Sequence, residues 1–168
     1  MNEATPVFEA EVTALGDALR ARGWMMAAAE SCTGGMIAAA CTAIAGSSDW
    51  FERGFVTYSN AAKAEQLGVP VGLIEAHGAV SAKVACAMAA GALAHSRAQL
   101  AVAVTGIAGP GGATPGKPVG TVWLALACVG EPARAELLQL AGDRAAVRAQ
   151  TVRHALARLG EWARDRAQ

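Results

Sequence analysis

Two short apolar runs, each followed at once by a glycine-bearing polar turn, constrain this chain more than any other feature. The first is WMMAAA, residues 24–29, which stands between Gly23 and the turn ESCTGG, residues 30–35. The second is QLAVAV, residues 99–104, which leads into TGIAGPGG, residues 105–112. Runs this short and this uniformly apolar read as strands buried on both faces. Alanine and methionine are poor strand formers. The first run is still read as a strand, because one helical pattern stops just before it and another starts just after it. In open α/β sheets, ligands bind beyond the carboxyl ends of such strands. The two glycine turns should therefore face the same side of the sheet and line one crevice.

The rest of the chain supplies the helices and the other strands. Val7, Val12, Leu15, Ala18 and Leu19 share one face of an amphipathic helix over residues 7–22, stopped by Gly23. Residues 33–44 read as a helix ended by Gly46, with Thr33 as a good cap. GFVTYS, residues 54–59, has strand composition, and a helix capped by Asn60 runs to Leu67. Residues 70–77 form a short helical turn, and residues 81–97 form an alanine-rich helix capped by Ser81. VGTVWLALACV (119–129) and ARAELLQLAG (133–142) pair as a hairpin across residues 130–132. A last amphipathic helix, capped by Asp143, covers residues 143–165. Alternating strands and helices define an α/β fold, a three-layer α/β/α sandwich with a mixed, mostly parallel sheet. With no linker and no internal repeat, residues 1–168 are expected to form one domain.

Composition narrows the function classes. At 54% hydrophobic and 17% charged, the chain can bury a core and is not a disordered segment. Its 14 basic and 14 acidic residues cancel, so no net field draws it to nucleic acid or to an anionic membrane. No basic segment precedes an apolar run at the N-terminus, which predicts a soluble, cytoplasmic protein. The four cysteines form no CxxC pair, so neither a zinc site nor any other metal is expected. Alanine-rich apolar helix faces favour self-association into a homo-oligomer.

Several residues carry candidate chemistry. Residues 111–117 match the start of a phosphate-binding P-loop, but Pro118 replaces the required Ser or Thr, and the loop leads into a strand. What survives is the exposed backbone of Gly106, Gly109, Gly111 and Gly112, which an anion can approach closely. Ser31 is either a helix cap or a nucleophile set on a strand-to-helix turn. Thr33 offers a second cap, which leaves Ser31 available for chemistry. The three histidines make no persuasive base for it. Tyr58, the only tyrosine, and Lys63 one turn later are the alternatives, and spacing alone does not choose between them. Arg144 and Arg148 lie four apart on one helix face and suit a two-pronged anion clamp or a solvated face.

Four stretches together resemble the CinA C-terminal domain family. They are the segment from AAAESCTGG through YSNAAKAEQLGV, then GAVSAKVACAMAAGAL, AVTGIAGPGGATPGKPVGTVWLALA and GDRAAVRAQTVRHAL. The resemblance runs from about residue 7 to residue 160. For the family's stand-alone form it implies deamidation of nicotinamide mononucleotide to nicotinate mononucleotide and ammonia, without cofactor or metal. It implies Ser31 as nucleophile, Lys63 and Tyr58 in proton transfer, and Thr105 beside the oxyanion. It places substrate contacts on Glu30, Thr33, Gly34 and Gly35, on Gly106, Gly109, Gly111 and Gly112, and on Arg144 and Arg148. A non-catalytic pyridine-nucleotide sensor and an amidohydrolase of a different small amide are the alternatives. Ammonia release across a substrate panel separates them.

Overall fold

The fold is described from a computed structural model, over residues 8–165. Val7, expected at the start of the first helix, lies outside them. In order, the elements are α1 (Glu9–Arg22), β1 (Met26–Glu30), α2 (Met36–Thr42), β2 (Phe51–Val56), α3 (Asn60–Leu67), α4 (Val71–His77), α5 (Ala82–Ala94), β3 (Leu100–Gly106), β4 (Thr121–Cys128), β5 (Arg134–Gln139) and α6 (Arg144–Asp165). A short 3-10 turn at Ser47–Asp49 precedes β2. This is the expected alternation. The sheet order is β2-β1-β3-β4-β5. β1 pairs in parallel with β2 and β3, while β4 runs antiparallel to both β3 and β5. One reversed strand in an otherwise parallel sheet makes the sandwich mixed, as the sequence indicates.

Side-chain size alternates along the central strands and sorts the two faces of the sheet. Leu100, Val102 and Val104 of β3 and Leu124 and Leu126 of β4 join Val12, Leu15 and Leu19 of α1 and Val152, Leu156 and Leu159 of α6 in one core. The other face is almost entirely methyl groups. Ala29, Ala103 and Ala125 lie side by side across β1, β3 and β4, and Ala27, Ala101 and Ala127 form the next row. Against them pack Val84, Ala85, Met88, Ala89 and Ala92 of α5. The alanine that made these strands hard to recognise is what lets α5 lie close to the sheet.

Helix ends follow local chemistry, with two departures from the sequence reading. Gly23 and Gly68 close α1 and α3 in the left-handed conformation that glycine adopts without strain. Ser81 caps α5 by accepting the Val84 amide, and Asp143 accepts the Ala146 amide at the start of α6. At α3 the cap is Ser59, which accepts the Ala62 amide at 3.0 Å. Asn60, expected to cap, is instead the first residue of the helix. α2 starts at Met36, not at Thr33, and its first turn is capped from a distance, as described below. β2 lies three residues earlier than GFVTYS suggested, because the chain turns away from the sheet after Val56.

Among the described residues no helix is long and apolar enough to cross a membrane. Cys32, Cys41 and Cys128 are buried free thiols, and Cys86 is half-buried.

α5 crosses the end of α3 at Gly91, where any Cβ would overlap the Leu67 carbonyl. Gly91→Ala should therefore cost about 1–3 kcal/mol through overpacking. In a chain of this length that lowers the melting temperature by about 2–4 °C per kcal/mol. A thermal melt checks it, and an unchanged midpoint would show that the two helices can part freely.

Candidate active site

The connections around β1 explain where a site can form. From β1 the chain crosses to β2 through α2 on one face of the sheet, then to β3 through α3, α4 and α5 on the other. β1 lies between β2 and β3. The chain thus leaves β1 and β3 in opposite directions, which opens a crevice beyond their carboxyl ends. The turns at 30–35 and 105–112 meet there.

The period of two along β1 divides its last residues. Glu30 is directed to the α2 side and is fully buried. Its carboxylate accepts the Thr33 hydroxyl at 2.6 Å and the amides of Ile37 and Ala38 at 2.8 and 3.1 Å. These are free donors of a helix start, so Glu30 caps α2 from the strand end. Thr33 does not cap the helix itself; it serves the carboxylate. Both residues were expected to meet substrate, and both are instead buried in this support.

Ser31 faces the opposite side, towards α3. Its Oγ lies 3.0 Å from Lys63 Nζ. Lys63 is 1% exposed, an unusual place for an ammonium group. Its Nζ also donates to the carbonyls of Thr57 at 2.9 Å and Tyr58 at 3.4 Å. Burial pulls the Lys63 pKa below its ordinary 10.5, outweighing an opposing effect of Cys32. A neutral amine has two N–H groups and one lone pair. In that form the two carbonyls can take the N–H groups, and the lone pair is then free to face the Ser31 hydroxyl. That is the arrangement a serine nucleophile needs from its base. Cys32, adjacent in sequence, is no rival: burial pushes its thiol up to about 11.

The cleft over this pair has a volume of about 220 Å³. Its walls include Ser31, Tyr58, Lys63, Thr105, Gly106 and Arg144, all anticipated from sequence, and also Asn60, Ala79 and Val80. Asn60 was legible in principle, because it stands three residues before Lys63 and shares its helix face. No sequence signal marks Ala79 and Val80. The Thr105 hydroxyl donates to the Ala79 carbonyl at 2.9 Å, so its proton is committed to joining the two walls.

Tyr58 brings its backbone carbonyl to Lys63, while the residue as a whole is 62% exposed and its hydroxyl accepts from Arg144 at 3.3 Å. Arg144 also donates to the Gly109 carbonyl at 2.9 Å. Arg148 donates to the carbonyls of Cys32 and Thr33, both at 3.2 Å. The two arginines thus differ: Arg144 lines the cleft, and Arg148 grips the turn after Ser31. Of the loop glycines, only Gly106 lines the cleft. Gly106 and Gly109 are needed for packing, since a Cβ would come within 2.6 Å of Val122 and Val119 respectively. Gly111 and Gly112 are not among the cleft's walls; a Cβ on Gly111 would meet open space, and one on Gly112 would lie 3.5 Å from Ile107. Gly34 and Gly35 take positive φ (58° and 104°) to complete the turn. A second hollow of about 670 Å³, lined by Pro110, Val119, Gly142 and Arg148 among others, adjoins the cleft and shares Ala108 and Arg144 with it.

A buried lysine held against a serine at a strand-to-helix turn, on a three-layer α/β fold, is an arrangement that can serve hydrolysis. The chain belongs to the CinA C-terminal domain family, whose model matches residues 9–163. It is 55% identical over 136 residues to the nicotinamide-nucleotide amidohydrolase PncC of Enterobacter agglomerans, covering 81% of this chain and 83% of that one. The protein of the same description from Pseudomonas putida is 56% identical over 146 residues, covering 86% and 89%. Among solved structures, the competence/damage inducible protein CihA from Agrobacterium tumefaciens superposes with a TM-score of 0.89 at 45% identity, over 95% of this chain and 97% of that one. The competence damage-inducible protein A from Klebsiella pneumoniae gives 0.90 at 40% identity, over 95% and 98%.

The capping role of Glu30 gives a stability prediction. Glu30→Ala strands one hydroxyl and two amides inside the protein, and each orphan costs about 1–3 kcal/mol. A total loss of about 3 kcal/mol or more is expected. Urea unfolding measures it, and a loss under about 1 kcal/mol would mean that water replaces the carboxylate.

Proposed function

We propose that the protein is an amidohydrolase that converts nicotinamide mononucleotide to nicotinate mononucleotide and ammonia. The observation that carries this reading is the 3.0 Å contact between Ser31 Oγ and the buried Lys63 Nζ. The similarity to amidohydrolases of that description supports the choice of substrate.

In this mechanism Ser31 Oγ attacks the carboxamide carbon while Lys63 takes its proton. The negative charge that develops on the amide oxygen is met by backbone amides of the turn after Ser31. Gly34 N–H is already spent on the Ser31 carbonyl at 3.1 Å, so this task falls to Cys32 and Thr33. Lys63 returns the proton to the nitrogen, the C–N bond breaks, and ammonia leaves. Water then attacks the acyl-serine with Lys63 as base, releasing the carboxylate and restoring Ser31. Lys63, not Tyr58, is the base in this scheme, because the Tyr58 hydroxyl is turned to Arg144.

The cleft is smaller than the roughly 300–1,000 Å³ of sites that enclose whole ligands of drug size. It suits the pyridine ring and its carboxamide. The ribose and phosphate then pass Arg144 towards the adjoining hollow. Arg144 has an exposed guanidinium at that boundary and is the group we assign to the phosphate.

Ammonia release from nicotinamide mononucleotide tests the reading. Ser31→Ala should lower kcat by about 10⁴ or more. Near-wild-type release from that variant would rule out the acyl-enzyme. The pH profile tests the base. Catalysis needs the amine, so kcat/KM should rise with pH as Lys63 loses its proton. Because burial lowers that pKa, the midpoint of the rise should lie below 10.5. A profile that climbs only at the ordinary lysine pKa, or one that Lys63→Ala leaves unchanged, would remove Lys63 from the role.

A further inference from the structure

We infer that Arg148 is a positioning residue for the nucleophile's turn and takes no part in holding the substrate's phosphate; the inference rests on the reading of Ser31 as nucleophile. Arg148 is one helical turn beyond Arg144 on α6, and sequence spacing alone makes the two arginines look equivalent. Both line the hollow towards which the phosphate passes, but their partners differ, and Arg148 spends its Nε and Nη2 on the turn. Arg148 Nε donates to the Cys32 carbonyl and its Nη2 to the Thr33 carbonyl. These are the first two carbonyls after Ser31.

The geometry of the peptide group converts this grip into control of the site. In a planar trans peptide the N–H points opposite to the C=O. With the Cys32 and Thr33 carbonyls drawn to Arg148, the amides of Thr33 and Gly34 are turned away from it. The Gly34 amide returns to the Ser31 carbonyl at 3.1 Å, which closes the turn. Arg148 therefore sets the rotation of both peptide units beside the nucleophile. Such a clamp has work to do here, because Gly34 and Gly35 have no side chains to resist a flip, and both already stand at positive φ. A Cβ on Gly34 would lie 3.5 Å from Arg148 Nη2, so the guanidinium is in close contact with the turn. Glu30 secures the same turn from inside through Thr33, Ile37 and Ala38. The turn is thus held by a carboxylate on its donors and a guanidinium on its acceptors.

A planar fork can span two neighbouring carbonyls, and a lysine ammonium cannot reproduce that fork. Arg148→Lys therefore separates the two roles: it keeps the charge an anion would want and loses the grip. The test measures ammonia release by the wild-type full chain, Arg148→Lys and Arg148→Gln, on nicotinamide mononucleotide and on nicotinamide riboside, with thermal melts of each. For Arg148→Lys, kcat should fall about 10²-fold through misplaced reacting groups. KM for the mononucleotide should stay within about threefold, and the preference for the phosphorylated substrate should not change. Arg148→Gln, which keeps a single donor in place of the fork, should show the same split. Wild-type kcat in Arg148→Lys overturns the inference, as does a loss that falls on KM and on the phosphate preference.

Labelling of Ser31 by a fluorophosphonate, followed by intact mass, keeps this distinct from the choice of substrate. If the wild type releases no ammonia from either compound but is labelled, the proposed reaction fails and the positioning role is read from labelling alone. A drop of about 10²-fold in Arg148→Lys then supports it, and equal rates overturn it. A wild type that is neither active nor labelled removes the nucleophile, and the inference with it.

Discussion

A single buried carboxylate organises this molecule. Glu30 ends β1 with no exposed surface and satisfies a hydroxyl and two helix-start amides. An ionised group taken out of water is tolerated only when its acceptor capacity is used in this way. That requirement fixes where α2 begins and how the chain bends between strand and helix. It also fixes the side from which Ser31 emerges. The adjacent lysine has the opposite arrangement. Lys63 is equally buried but, among the described residues, has no carboxylate partner; its Nζ meets carbonyl and hydroxyl oxygens. The carboxylate's oxygens are taken up by donors of the fold, whereas burial lowers the Lys63 pKa.

The architecture was largely legible in the sequence because glycine and short apolar runs punctuate it. Gly23 and Gly68 stop helices where the pattern stops, and the two hairpin strands end at a visible turn. Boundaries shifted where side chains compete for the same amides. Ser59 precedes Asn60 and takes the cap, and Glu30 reaches forward to displace Thr33 at α2. A cap supplied by a strand residue seven positions back has no local signature.

The site was legible as a set of residues more than as a set of roles. Ser31, Lys63, Thr105, Gly106 and Arg144 do come together in one cleft. Their hydrogen-bond partners depend on contacts that sequence spacing cannot reveal. Arg144 finds Tyr58 across 86 positions, and Arg148 finds Cys32 across 116. The i,i+4 spacing correctly places both arginines on one face, but it does not show that the face spans a boundary between two tasks. Glycine carries a similar ambiguity. Gly106 and Gly109 are required by the close approach of Val122 and Val119, and that need leaves the same trace in a sequence as an anion cradle.

The methyl-lined face of the sheet has a consequence for the cleft itself. The Thr105 hydroxyl ties the end of β3 to Ala79, just ahead of α5, and Ala79 and Val80 form one wall over the serine. How far that wall stands from Ser31 depends on how deeply α5 settles onto Ala101, Ala103, Ala125 and Ala127. Enlarging any of these side chains would lift the helix and carry the wall outward with it. The alanine rows therefore act as a spacer, and the aperture above Ser31 is gauged in single carbon atoms.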